Sequence, residues 1–255
     1  MSLDLSSRVA VVIGGTSGIG RAIALGLAEQ GAGVVPTGRR ATHVEEVCAA
    51  IESRGRRTIR IVTDIRDRQS IDNLRDQTLE VFGHIDILVN AAGVTFKQPT
   101  INICEEQWSS IFDTNLTGPL RACQSFYEPL KTSGHGRIIN IASLSSFVGF
   151  FEVTAYCATK TALLSLTRSL AVEWAQDGIS VNAIAPGIFP TEMTNGIVTG
   201  TARGRELLLR TPMRRFGDPE ELVGAAVLLA SDGASFITGQ CLTVDGGFLA
   251  SGVNS

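Results

Sequence analysis

Residues 8–30 read RVAVVIGGTSGIGRAIALGLAEQ. The run VAVVI is continuously apolar, as a strand covered on both faces of a parallel sheet requires, and from Gly18 onward apolar residues recur at helical spacing. Between strand and helix lies a turn made of Gly14, Gly15, Thr16, Ser17, Gly18, Ile19 and Gly20. Glycines there let the chain bend sharply and let a diphosphate approach the backbone, while the first N–H groups of the helix point at it. The spacing Gly-x3-Gly-x-Gly differs from the GxGxxG fingerprint. The position of the turn, after a first strand and before an amphipathic helix, therefore carries the nucleotide-binding reading.

The same alternation continues along the chain. RVAVVIG, GVVPTG, RTIRIVTD, IDILVNAAG, GRIINIAS, ISVNAIAP and QCLTVDG read as seven strands, separated by helical patterns near 18–30, 41–54, 68–82, 104–132, 154–176 and 218–231. Alternating strands and helices imply an α/β fold, a single-domain Rossmann-type doubly wound parallel seven-stranded sheet with helices on both faces and right-handed crossovers. Residues 1–255 are expected to form one such domain. The stretch 189–216, which holds Pro190, Pro212 and two short helical patterns, is longer than a helix-to-strand connection needs. An insertion at the carboxyl edge of such a sheet is where a substrate lid sits; the plain alternative is a decorated loop.

Composition excludes several classes. With 44% apolar and 18% charged residues the chain can build a large core, and its net charge of -3 without a long basic run argues against nucleic acid. Five scattered cysteines without CxxC spacing read as core thiols in a reducing compartment, and three histidines outside any HExxH pattern give no metal signature. A start lacking a signal-peptide pattern and the absence of any apolar run near 18 residues make a cytoplasmic protein with no membrane partner the expectation.

Two short patterns carry chemistry. In TAYCATKTALLSLTRSLAVEWA, Tyr156 and Lys160 stand four apart and leave one helix on the same face. A phenol titrating near pH ~10 beside an ammonium is expected to have its pKa pulled down, which makes the pair a candidate general acid and base. An exposed Tyr/Lys pair of no consequence has the same spacing. At the end of the second strand, where an NAD-binding fold places an acid against the ribose 2′-hydroxyl, the chain reads Thr37, Gly38, Arg39, Arg40. An acid repels a 2′-phosphate and an arginine fork grips it, so the sequence favours NADP(H). The competing reading is two charges that open an exposed helix.

With the glycine turn, Asn90-Ala91-Ala92-Gly93, Asn115, Ser143, Tyr156-x3-Lys160 and Pro186-Gly187 in this order over essentially its whole length, the chain resembles the classical short-chain dehydrogenase/reductases. Within them it is most similar to bacterial 3-oxoacyl-acyl-carrier-protein reductases and gluconate 5-dehydrogenases, through NIASLSS, AVEWAQDGISVNAIAPG and LASDGASFITGQCLTVDGG. The resemblance implies a catalytic set of Asn115, Ser143, Tyr156 and Lys160. Ser143, thirteen residues before Tyr156, donates to the substrate carbonyl oxygen; Tyr156 exchanges the proton with it. Lys160 lowers the Tyr156 pKa and bonds the nicotinamide ribose, and Asn115 holds a water that links Lys160 to solvent.

The resemblance also implies cofactor contacts at Gly14, Thr16, Ser17, Gly18, Ile19 and Gly20, at Asp64 and Ile65 for the adenine, and at Asn90, Ala91 and Gly93 beneath the adenosine ribose. Asn90 serves equally well to tie strands together. Pro186, Gly187, Ile188 and Thr191 complete the set beside the nicotinamide and diphosphate. Two positions depart from the family pattern: Ile13 stands where Thr is common, and Ser17 where NADP-preferring relatives carry a basic residue.

Phe96, Leu144, Ser145, Phe150, Phe151 and Phe189 are expected to line the substrate pocket, a wall that suits an apolar or mixed ketone better than a bare sugar acid. The implied activity is NADP(H)-dependent interconversion of a ketone and a secondary alcohol on a small molecule, by a homotetramer. The rivals are an NAD-dependent dehydrogenase of the same family, a longer-chained Rossmann epimerase or dehydratase, and a non-catalytic NADP-binding sensor or scaffold.

Overall fold

A computed structural model describes residues 3–191 and 195–254. Six strands, β1 Val9–Ile13, β2 Gly33–Thr37, β3 Ile87–Asn90, β4 Arg137–Ile141, β5 Ser180–Pro186 and β6 Cys241–Val244, form one parallel sheet in the order β2-β1-β3-β4-β5-β6. The chain winds one way from β1 to β2 and then returns to place β3 on the other side of β1. The crevice this reversal opens, at the carboxyl ends of β1 and β3, is the ligand position of doubly wound sheets.

Nine helices flank the sheet among the described residues: α1 Gly18–Glu29, α2 Ala41–Glu52, α3 Arg68–Phe82, α4 Glu105–Phe112, α5 Gly118–Ser133, α6 Thr154–Trp174, α7 Asn195–Val198, α8 Ala202–Arg210 and α9 Val223–Ala230. Successive strand residues point to opposite faces. Ala10 and Val12 of β1 therefore join Ile23 and Leu27 of α1 and Ala226 and Leu229 of α9 in one core. Val11 and Ile13 join Ile71 of α3, Phe126 of α5 and Trp174 of α6 in the other. No helix among the described residues is long and apolar enough to cross a membrane.

The sheet has six strands, not the expected seven. RTIRIVTD runs beside β2, but among the described residues it forms only an isolated bridge, between Gly38 and Val62, and no ladder. The reason lies in β2. Val34 N donates to Arg57 O at 3.1 Å and Thr63 N donates to Gly38 O at 3.0 Å, so alternate β2 residues face this segment, and the one between them is Pro36. Proline has no N–H to donate, so the ladder is missing its middle rung. The Thr37 hydroxyl donates to Ile61 O at 2.6 Å and holds the segment in place.

The helical pattern at 104–132 is also interrupted. A π-helical turn, Asp113–Thr117, separates α4 from α5 and carries Asn115. Such turns inside α-helices frequently mark functional sites.

At the opposite edge of the sheet His135 is buried, 5% exposed, with Nε2 3.1 Å from Ala230 O and Nδ1 3.1 Å from Asp232 Oδ1. Burial pushes its pKa below the ordinary 6.5; Asp232 pulls the other way, but that carboxylate is largely exposed and its field is screened. A group with a lowered folded-state value is protonated first in the unfolded chain. Its contribution to stability is full above pH about 6.5 and is lost as the pH falls through the lower folded-state value. Thermal unfolding of the wild type is therefore expected to shift down between pH 7 and 5, and His135→Gln, which keeps a donor for Ala230 O, to flatten that slope. An unchanged slope in the variant refutes His135 as its source.

Candidate active site

The glycine turn defines the floor of the crevice. A Cβ on Gly14, whose φ is +84°, would lie 2.4 Å from Ala92 N, and a Cβ on Gly20 would lie 2.1 Å from Gly14 O. Only glycine lets β1, the start of α1 and the end of β3 pass this closely. Gly14 N and Gly15 N both donate to Thr37 O, at 2.8 and 3.1 Å, which ties the turn to the end of β2.

Above this floor opens a cavity of about 670 Å³, within the range of small-molecule and cofactor sites. It is lined by Gly14, Thr16, Ser17, Gly18, Ile19 and Gly20 of the turn, by Arg39, Arg40, Asp64 and Ile65, by Ala91 and Gly93, and by Pro186, Gly187, Ile188 and Thr191. These sixteen together with Tyr156 and Lys160 are eighteen of the nineteen expected cofactor contacts; Asn90 alone stands apart. It is buried in the sheet, where its Nδ2 donates to Asn140 Oδ1 at 2.9 Å across the β3–β4 register. The alternation of β3 turns its side chain into the core, so its expected place among the cofactor contacts is corrected to a strand tie.

The fit to a phosphorylated dinucleotide rests on charge as well as shape. Arg39 is exposed at the cavity rim and makes no hydrogen bond or salt bridge among the described residues. Arg40 lines the same rim at the start of α2. Asp64, the nearest acid, is engaged by Arg66 at 2.7 Å, and its pKa is held down chiefly by that bond.

At the inner end of the cavity three elements meet. Ser143 follows β4 and caps the short turn Leu144–Ser146, its Oγ accepting from Ser145 N at 3.2 Å. Tyr156 and Lys160 rise from the first two turns of α6. Ser146 Oγ donates to Lys160 O at 2.8 Å and Thr161 Oγ1 to Ser146 O at 3.3 Å, which clamps the serine turn onto α6. The Ser143 hydroxyl is close enough to the Tyr156 hydroxyl to favour its ionised form.

The electrostatics differ from expectation. Burial raises the Tyr156 pKa and the Ser143 hydroxyl only opposes it. The Lys160 ammonium does not pull it down, because Nζ sits 5.7 Å over the ring centroid and donates to Ile141 O at 2.6 Å. Burial brings Lys160 itself down to about 8, so it stays largely protonated at neutral pH.

Asn115 is fully buried and its amide is fully engaged: Oδ1 accepts from Val94 N at 2.9 Å, and Nδ2 donates to Val94 O at 2.9 Å and to Thr159 Oγ1 at 3.2 Å. The side chain thus splints the loop after β3 to α6 beside Lys160.

The substrate wall is mixed. Ser145, Phe150 and Phe189 line the cavity. Phe96 does not; Leu144 is turned into a core with Val198, Leu207 and Phe248, and Phe151 is 76% exposed. Loops have no fixed side-chain period, so their facing was not readable. Val153, Val198, Arg203 and Leu207 complete the wall instead. Arg203 and Leu207 stand four apart in ARGRELLLR, a spacing that marks a shared face.

The family described as enoyl-(acyl carrier protein) reductase matches residues 14–249. The chain is 37% identical over 250 residues to the 2-dehydro-3-deoxy-D-gluconate 5-dehydrogenase of Escherichia coli, covering 98% of each protein. It is 36% identical over 247 residues to a 3-oxoacyl-[acyl-carrier-protein] reductase of Haemophilus influenzae, covering 97% of this chain and 100% of that one. A gluconate 5-dehydrogenase from Burkholderia cenocepacia, solved in complex with NADP and tartrate, superimposes with a TM-score of 0.94 at 34% identity over 98% of both chains. A serine, a tyrosine and a lysine gathered beside a glycine-floored crevice, with whole-length similarity of this kind, mean that the chain belongs to the short-chain dehydrogenase/reductase family.

Proposed function

We propose that the protein interconverts a ketone and a secondary alcohol with NADP(H), on a small polyhydroxy carboxylate of the kind named for its sugar-acid relatives. The observation that carries the reaction is the gathering of Ser143, Tyr156 and the buried Lys160 on one cavity wall, with Lys160 Nζ 5.7 Å over the Tyr156 ring. When bound, the nicotinamide supplies or takes up the hydride. Tyr156, protonated at neutral pH because burial raises its pKa, gives its proton to the carbonyl oxygen in reduction and recovers it in oxidation. Ser143 donates to the same oxygen where negative charge develops. Lys160 keeps a positive charge next to the ring, which favours the phenolate left behind once Tyr156 has given up its proton.

The glycine turn takes the diphosphate, Asp64 and Ile65 the adenine, and Pro186 to Thr191 the nicotinamide end. Arg39 and Arg40 take the 2′-phosphate. The segment 189–216 acts as the lid; its residues 192–194 lie outside the described residues, and Val198 and Leu207 pack it on Leu144 and Phe248. α5 and α6 pair with a second copy in a homotetramer, as the exposed Val172 of α6 favours.

Tyr156→Phe keeps the ring and removes the proton donor. Turnover is expected to fall to at most a few per cent while NADPH still binds by fluorescence titration, and Lys160→Ala to impair both. A Tyr156→Phe enzyme that retains more than this with a substrate whose chemical step limits the rate refutes the assignment.

A guanidinium on a phosphate contributes about 1.5–3 kcal/mol, less where solvent screens it. Arg39→Ala is therefore expected to weaken NADPH about ten- to a hundredfold and leave NADH nearly unchanged, with Arg40→Ala adding to the loss. The measurement is kcat/KM for both cofactors in wild type, the single variants and the double. A wild type that prefers NADH, or a double variant that loses both cofactors equally, overturns the NADP assignment.

A further inference from the structure

The outer end of the cavity carries charge that the reaction chemistry does not use. Arg203, on the first turn of α8, lines the cavity and donates through Nη1 to Phe151 O at 3.0 Å. Among the described residues no carboxylate pairs with it. Lys97, the other cation on this wall, is engaged by Glu152 at 3.1 Å. Glu152 sits in the left-handed backbone region with φ +62°, and its carbonyl accepts from Gln98 N at 2.8 Å. A non-glycine residue held there is strained, and the surrounding contacts must sustain it. Here they join the loop after β3 to the loop before α6, and this joined corner presents its Phe151 carbonyl to Arg203.

A second observation lies at the inner end. Ser145 is 3% exposed, lines the cavity, and its Oγ has no hydrogen-bond partner among the described residues. Its neighbours are engaged elsewhere: the Ser143 hydroxyl lies close to that of Tyr156, and Ser146 Oγ donates to Lys160 O. A buried hydroxyl without a partner is uncommon, and on a cavity wall a ligand group is one source of the missing bond. Between the two ends the wall is apolar, with Phe150, Val153, Phe189, Val198 and Leu207.

We infer that Arg203 and Ser145 are the specificity-determining pair for a hydroxy-carboxylate substrate: Arg203 grips the carboxylate at the outer end, and Ser145 bonds a hydroxyl next to the reacting carbon. This deepens the proposed reading and rests on it for the position of the reacting carbon. A guanidinium with one edge already oriented by Phe151 O offers the others to a carboxylate at low entropic cost. A carboxylate several carbons from the carbonyl spans the apolar stretch between the ends. The pairing also accounts for a cation without a carboxylate partner on a wall whose other cation, Lys97, is held by Glu152.

The experiment compares a keto-hexonate with fructose, a neutral ketohexose, and with cyclohexanone, which has neither carboxylate nor hydroxyl. Wild type is expected to favour the acid over the ketohexose in kcat/KM. In Arg203→Ala that ratio falls ten- to a hundredfold, mostly through KM; Arg203→Lys recovers part of it, and Arg203→Glu inverts it. Arg205→Ala, an exposed change on the same helix, keeps the wild-type ratio. Ser145→Ala lowers kcat/KM for both polyhydroxy substrates relative to cyclohexanone. Equal losses on all three substrates in Arg203→Ala, or a wild type indifferent to the carboxylate, overturn the inference.

Calorimetric binding of gluconate to the NADPH-loaded Tyr156→Phe protein reads the same contacts without turnover, and no loss of affinity on adding Arg203→Ala also overturns it. Absence of turnover on every substrate with gluconate binding intact would instead count against the proposed reaction and leave the recognition pair supported.

Discussion

A buried ammonium at the carboxyl edge of the sheet organises everything around it. Lys160 is 5% exposed, and a charge withdrawn from water to that degree is costly unless something polar replaces the solvent. Ile141 O, the last carbonyl of β4, supplies that acceptor, and the face of the Tyr156 ring adds a weaker one. The position of β4 relative to α6 is therefore set by chemistry as well as by packing. Ser146 and Thr161 reinforce the same joint from the other side of the helix. The π-helical turn lets Asn115 reach across and brace Val94 against Thr159, so the wall behind the ammonium is rigid.

Seen from this centre, the crevice divides by electrical character. Its rim on the β2 side carries Arg39 and Arg40, its floor is bare backbone, its inner end holds hydroxyls beside one cation, and its outer end holds Arg203 and the Lys97–Glu152 pair. Such an arrangement suits the two ligands proposed above, a long anion along the floor and a shorter one near Arg203. Val198 and Leu207, from the segment 189–216, pack with Leu144 and Phe248 and line the cavity.

The departures from expectation share a cause. Pro36 sits in a run of strong strand character, and nothing in that run says which edge its missing N–H will face; only the pairing with β1 turns it toward residues 57–63. Phe96, Leu144 and Phe151 lie in loops after strand ends, where side-chain direction follows from the local path of the chain. The effect of Lys160 on Tyr156 depends on where within a few ångströms the ammonium rests. Over the ring and against a carbonyl it does little to the hydroxyl, and burial prevails.

What the sequence determined by itself was everything governed by local period and by residue chemistry at short range. The βα alternation, the glycine turn after β1, Tyr156 and Lys160 on one helical face, and the absence of an acid after β2 are all of this kind, because helical and strand periods fix facing within a few residues. Tertiary structure alone decided that Asn90 is a strand tie, that Asn115 splints two elements, that the run RTIRIVTD fails to join the sheet, and that Arg203 arrives at the cavity from residues far along the chain. Those outcomes depend on which distant groups become neighbours once the apolar faces are buried. Burial, and with it the cost of every polar atom left without a partner, exists only in the folded chain.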